Sequence, residues 1–204
     1  SGLAEVSAGD NMRLETLYIR PMISTVELRS IRCDFTGRPY EGKSLEEAKV
    51  YLTNINAECK AMDQSDIMPG RILNAGRLRD EDLSTMSEPG LIAREIGGAI
   101  GEKVQHPKIK LICYPNNSIS EGPGTPFTRL VIEGKIEGET FYWPLNINKD
   151  GEGYGINRNE RYIFDITITR KGVKNPDTPV RAEDVDVIFN IEKWNEKEDC
   201  EVIF

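Results

Sequence analysis

Asn146-Ile147-Asn148-Lys149-Asp150-Gly151-Glu152 is the stretch of this chain that comes nearest to a metal site. Oxygen-bearing side chains fall at its first, third and fifth positions, and a glycine follows. An EF-hand calcium loop needs Asp at the first position and a bidentate Glu at the twelfth. Asn146 and Asn157 stand there instead, and no helix leads in. The segment reads as a solvated turn between two strands, where Asn, Asp and Gly tolerate unusual backbone angles. Gly97-Gly98-Ala99-Ile100-Gly101-Glu102-Lys103-Val104 is the other near miss. It lacks the spacing of a phosphate-binding loop, Val104 replaces the hydroxyl that would reach magnesium, and Glu102 opposes an anion. It reads as a flexible turn.

Acid–base chemistry asks for two carboxylates converging in a cleft. With 34 Asp and Glu residues in the chain, some pair is always close, so proximity alone selects none. Asp165 is the acid inside a strongly apolar strand and reads as a wet-face residue. His106, the single histidine, sits beside a proline and reads as a solvated loop residue. No GxSxG elbow is present. The four cysteines, Cys33, Cys59, Cys113 and Cys200, form no CxxC pair, so zinc-ribbon and thioredoxin arrangements fail on spacing. They read as buried thiols rather than disulfides. The reading is of a non-enzyme, with no catalytic residue, metal ligand or cofactor assigned.

Aromatic faces offer a different chemistry. Tyr142 and Trp143 with Tyr154 are a candidate stacking platform for a glycan, against the plainer reading of strand aromatics as core. Asn116-Asn117-Ser118 matches a glycosylation sequon.

The elements that would position these residues are mostly strands. Ile109–Tyr114, Phe127–Gly134, Thr140–Ile147 and Arg161–Thr169 are expected strands, preceded by Leu14–Arg20, Ile23–Cys33 and Ala48–Ile55. Tyr162, Phe164, Ile166 and Ile168 alternate with Ile163, Asp165, Thr167 and Thr169, the pattern of a half-buried antiparallel strand. Ser44 to Glu47 resembles a helix cap, in conflict with the alternation that follows it. Residues 58–107 form a long connection, with helical turns expected over Asp80–Met86 and Leu91–Ile96. Residues 1–13 read as a linker or disordered end. Residues 14–204 read as a single all-β sandwich domain with a partly helical crossover insertion at 58–107 and a terminal strand region at 185–204.

That terminal region, Val185–Phe204, is the candidate assembly element. Val185, Val187, Phe189 and Ile191 alternate with Asp186, Asn190 and Glu192, while Trp194 falls on the otherwise polar side. A strand of this kind can complete its own sheet or add to the edge of another, and the residues do not choose between the two. The formal net charge of -8 disfavours a nucleic-acid partner and adsorption to anionic lipid. No apolar stretch approaches the roughly 18 residues of a spanning helix.

Several motifs in order carry a family resemblance. They are Leu111–Asn117, Thr128–Gly134, Phe141–Ile147, Ile156–Tyr162, Ile166–Gly172 and Val187–Trp194, with Ile19–Leu28 and Val50–Asn56 upstream. Over residues 14–204 the chain resembles the fimbrillin family of Bacteroidales surface pili, and looks like the second of its two domains. The resemblance implies a transthyretin-like antiparallel β-sandwich. It implies a structural or adhesive subunit of a fimbrium at the cell surface or outer membrane, partnered by other fimbrial subunits through strand exchange. It further implies export as a lipoprotein, with membrane attachment only through a lipid anchor on an N-terminal part outside this sequence. A secreted module that binds a host protein or glycan is the alternative.

Overall fold

The structure, a computed structural model, describes residues 21–59, 71–118, 126–147, 155–178 and 185–193. Expectations for Leu14–Arg20, Tyr154, Trp194 and Cys200 lie outside these residues, as does the calcium-like turn beyond Ile147. The strands are β1 (Ser24–Cys33), β2 (Glu46–Thr53), β3 (Ile55–Asn56), β4 (Ile72–Leu73), β5 (Ala93–Glu95), β6 (Ile109–Cys113), β7 (Arg129–Ile136), β8 (Glu139–Asn146), β9 (Glu160–Ile168) and β10 (Val185–Lys193). A short helix, α1 (Asp80–Ser84), and a 3-10 turn at Pro89–Leu91 interrupt them.

Alternation sorts these strands into layers. One four-stranded sheet runs β10-β9-β1-β6, the other β5-β2-β7-β8, and β3 pairs with β4 apart from both. Val26, Leu28, Tyr162, Phe164, Ile166 and Ile168 from the first sheet share one core with Val50, Leu52, Leu130, Ile132, Phe141 and Trp143 from the second. Apolar burial contributes roughly 25 cal/mol per Å2, so this shared face is the main force holding the sheets together. The fold is an all-β sandwich.

Two pairings differ from the sequence expectation. β9 is antiparallel to β10 but parallel to β1, from Thr25 opposite Arg161 to Cys33 opposite Ile168. Period-two alternation fixes which face of a strand is buried, and it carries no information about a neighbour's direction. The stretch Leu91–Ile96, expected as a helical turn, contributes only Leu91 to the 3-10 turn and then forms β5, because Ala93–Glu95 pairs with Tyr51–Lys49 of β2. The Asp80 helix is present, one turn long.

The cap-like Ser44–Glu47 segment starts a strand, and the conflict resolves as a bulge. The β2–β7 register shifts between Glu46 and Lys49, and Glu47 adopts a positive φ of 48°. Its carboxylate accepts a hydrogen bond from Lys135 Nζ at 2.6 Å. A bulge inserts one extra residue and increases local twist, which is why the alternation becomes clean only after it.

Candidate assembly site

A strand edge is a chemical site in its own right, a row of backbone donors and acceptors that another chain can pair with. The sandwich has four such edges. β5 is only three residues long. β6 has five residues, with the 3-10 turn packed beside it.

β8, at eight residues, is covered by the chain that leaves β9. Val173 pairs with Tyr142 through two backbone hydrogen bonds of 2.9 Å each. Trp143 Nε1 donates to the Arg170 carbonyl at 3.1 Å. Gly172 lies so close that a Cβ there would come within 2.2 Å of the Tyr142 carbonyl oxygen. Only glycine lets the two backbones approach this far. Lys174 finishes the strap, its ammonium 3.7 Å from the Phe141 ring centroid and 2.9 Å from Glu139.

β10 stands in contrast. It is nine residues long and antiparallel to β9 throughout, from Val185 opposite Ile168 to Lys193 opposite Glu160. Among the described residues no strand pairs along its outer side. Its register sets Val185, Val187, Phe189 and Ile191 across from Ile168, Ile166, Phe164 and Tyr162, all core residues. The terminal strand therefore completes its own sheet here. Ile188, across from Asp165, is 65% exposed, a large aliphatic in water at the middle of the strand.

Behind it, Arg29 sits at the bulge between Leu28 and Ser30 and pairs with Asp165 through both carboxylate oxygens. The Ser30 hydroxyl donates to the same carboxylate. The Arg29 hydrogen bond holds the Asp165 carboxyl below the usual range, against a smaller opposing push from burial. A paired, ionised acid braces strands and is a poor proton donor. On the next strand position of that face, Arg161 bonds the buried Glu27.

The other sequence candidates scatter. Trp143 is fully buried with its indole N–H satisfied by Arg170, so it cannot stack on a sugar, and the Tyr142–Trp143–Tyr154 platform loses its central ring. Trp143 shares its parity with buried Phe141, and that spacing was the available clue. Tyr142 is half-buried. The sequon asparagine, Asn116, is also fully buried, its amide nitrogen donating to Thr128 Oγ1 at 2.9 Å and the Pro126 carbonyl at 3.0 Å.

Asn116 belongs to a buried asparagine network that local sequence patterns do not announce. Asn54 and Asn74, both at positive φ, bond the Phe127 and Leu52 carbonyls and accept from the backbone N–H groups of Gly76 and Arg79. The network ties the long insertion to the sandwich. Gly155 packs against it, where a Cβ would fall 1.8 Å from the Asn116 carbonyl oxygen.

Cys33 and Cys113 are buried free thiols, each with its pKa pushed up to about 12 by burial, and Cys59 is half-buried. His106 is exposed and borders a cleft of about 280 Å3 with Glu95, Ile96, Gln105, Pro107 and Ile109. That lining supplies one carboxylate. Among the described residues no three His, Cys, Asp or Glu side chains converge as a metal site would require. No described helix is long and apolar enough to cross a membrane.

Solved structures share the all-β sandwich fold. A fimbrilin from Porphyromonas gingivalis matches at a TM-score of 0.55 and 13% identity, over 86% of this chain and 58% of that one. A protein from Bacteroides eggerthii, provisionally described as a cell adhesion protein, matches at 0.55 and 10%, over 85% and 56%. One from Parabacteroides distasonis with the same description matches at 0.53 and 14%, over 86% and 52%. The chain thus spans between about half and three fifths of the proteins it resembles. No protein-family model matches it, and no curated protein does. What is shared is the fold, and it is the fold of the fimbrilins.

Proposed function

We propose that this chain is a structural, non-enzymatic subunit of a cell-surface fimbrium, joined to its neighbours by β-strand addition. Residues 14–204 serve as one building unit, and attachment to the outer membrane comes through other parts of the assembly. The observation that carries the reading is the asymmetry of the edges. Three are short, flanked or strapped, and β10 offers nine residues with an exposed aliphatic at their centre. Proteins blunt edges that must stay unpaired, so an edge left long and unpaired among the described residues is read as one kept for pairing. The fimbrilin and adhesion descriptions of similarly folded proteins support this reading.

Incorporation into filaments tests it. Ile188→Lys leaves the core untouched and puts a charge typical of protected edges at the centre of β10. We expect the variant to be exported and folded, with filaments sheared from the cells depleted of it. Wild-type incorporation of a folded Ile188→Lys protein would refute assembly through β10.

A further inference from the structure

The chain enters β1 and leaves β10 at the same end of the first sheet. β1 runs parallel to β9, and β10 runs antiparallel to β9, so Thr25, Arg161 and Glu192 stand in one row across three strands. Neighbouring strands lie about 4.8 Å apart, which sets the start of β1 and the end of β10 about 10 Å apart, with β9 between them. Tension applied to the chain on either side of the sheet therefore acts across the strands.

A pull across the strands opens a ladder from its end, one residue pair after another, so few backbone bonds resist at any moment. A pull along the strands loads all the pairs together and meets far more resistance. β1 has a neighbour on each side, β6 and β9, and tension presses its start toward β6. β10 has one neighbour among the described residues, and tension draws it away from that neighbour. The Lys193–Glu160 end of the β9–β10 ladder is thus the first place to yield.

What lies behind β10 is built differently. When Val185 has parted from Ile168, tension reaches the strap at its Asp177 end. The Asp177 carboxylate accepts from the buried Arg129 guanidinium at 2.8 Å, Lys174 and Lys171 pair with Glu139 and Glu137, and Val173 is bonded to Tyr142 through both backbone groups. These partners all belong to the second sheet and its β7–β8 turn, so the opening of the first sheet does not run on into the strap. Behind the strap, Ile168 closes β9 at the far end of the sheet from Ser24. Pulling those two points apart acts along the parallel β1–β9 ladder and loads it over its whole length, from Thr25–Arg161 to Cys33–Ile168. Two ion pairs, Arg29–Asp165 and Arg161–Glu27, cross that same ladder.

We infer that the first sheet is a two-stage tension element: β10 peels off at low load and adds length, and the strap and the parallel β1–β9 ladder then stop the extension. A subunit held in series with others lengthens before it unfolds. The inference concerns a lone chain under load, so it does not rest on strand addition at the outer side of β10.

Optical-tweezers pulling on the full chain, with handles at its two ends, tests it. The probe is Asp165→Cys/Ile188→Cys, two positions directly opposite across β9 and β10. It is compared with itself oxidised and reduced, the bond confirmed by mass spectrometry. The disulfide keeps residues 179–188 out of the low-load step, a loss of about 35 Å at roughly 3.3–3.6 Å per residue. The reduced form is expected to lengthen reversibly at low load, the oxidised form to lengthen less by that amount, and both to rupture once at higher load. Traces that do not change on oxidation would overturn the yielding of β10 and leave strand addition standing. A loss of about 70 Å would remove the strap from the stop, since residues 169–188 would then come free together. Gradual lengthening with no later rupture would overturn the β1–β9 clamp.

Discussion

The β8 and β10 edges are of similar length, eight and nine residues, and they have opposite fates. β8 is closed by a strap that offers little sequence regularity: one bridging residue, Val173, one glycine that allows contact, one carbonyl that meets an indole. β10 is regular over its whole length and has no such cover among the described residues. Regularity is therefore not what protects an edge. A few irregular, specific contacts close β8, while the cleanest strand pattern belongs to the edge without such cover among the described residues.

Breaking the strap is the severest test of that contrast. Gly172→Ala puts a methyl group within 2.2 Å of the Tyr142 carbonyl oxygen, which only backbone displacement can relieve. We expect a loss of about 2–4 kcal/mol in urea unfolding, together with new self-association through an uncovered β8. Unchanged stability would mean that the strap does not close the edge. Asn116→Ala comes next, because it strands the Thr128 hydroxyl, the Pro126 carbonyl and the Ser118 hydroxyl in a buried site. About 2 kcal/mol should be lost without any change in oligomeric state, since neither edge is touched.

The Arg29–Asp165 brace behind β10 has a smaller effect, and it has a pH signature. Arg29 is 44% exposed, so screening limits the pair to about 1 kcal/mol or less. The folded carboxyl titrates below its unfolded value of roughly 3.9. The pair's contribution is therefore complete above that value and disappears as pH falls through the lower, folded one. Asp165→Asn should remove this part of the acid sensitivity, read as a flatter melting-temperature profile below about pH 4. An unchanged profile would show the brace to be inert. Ile188→Lys is the mildest, expected to shift stability by no more than about 0.5 kcal/mol. A large loss there would show that Ile188 serves the fold, and the comparison of edges would lose its open member.

Much of the sandwich was legible in the chain. The alternations of Tyr162–Ile168 and Val185–Ile191 match β9 and β10 in place, and in β9 the Tyr162, Phe164, Ile166 and Ile168 row is buried. The hairpin of β7 and β8 was equally readable, because Glu137 and Gly138, both at positive φ, mark its turn. What stayed hidden depends on partners distant in sequence. Nothing within Arg161–Thr169 tells that strand to lie parallel to β1. Nothing local turns Ala93–Glu95 from helix to edge strand except β2 beside it. The glycan platform failed on a readable point, since Trp143 keeps the parity of Phe141. The asparagine network had no period to find: its members cap carbonyls that become neighbours only once the insertion has folded back.

The parallel ladder between β1 and β9 has a kinetic consequence. Arg29 and Asp165, which meet across it, are 136 residues apart in the chain. Topologies dominated by such distant pairings fold in roughly milliseconds to seconds, because loop closure must precede the contacts that reward it. The central pair of the first sheet therefore cannot form until β9 has followed β1 out of the ribosome or a translocation channel. β10, which follows β9 in the chain and pairs with it antiparallel, can form its ladder with β9 before that long-range pairing is complete.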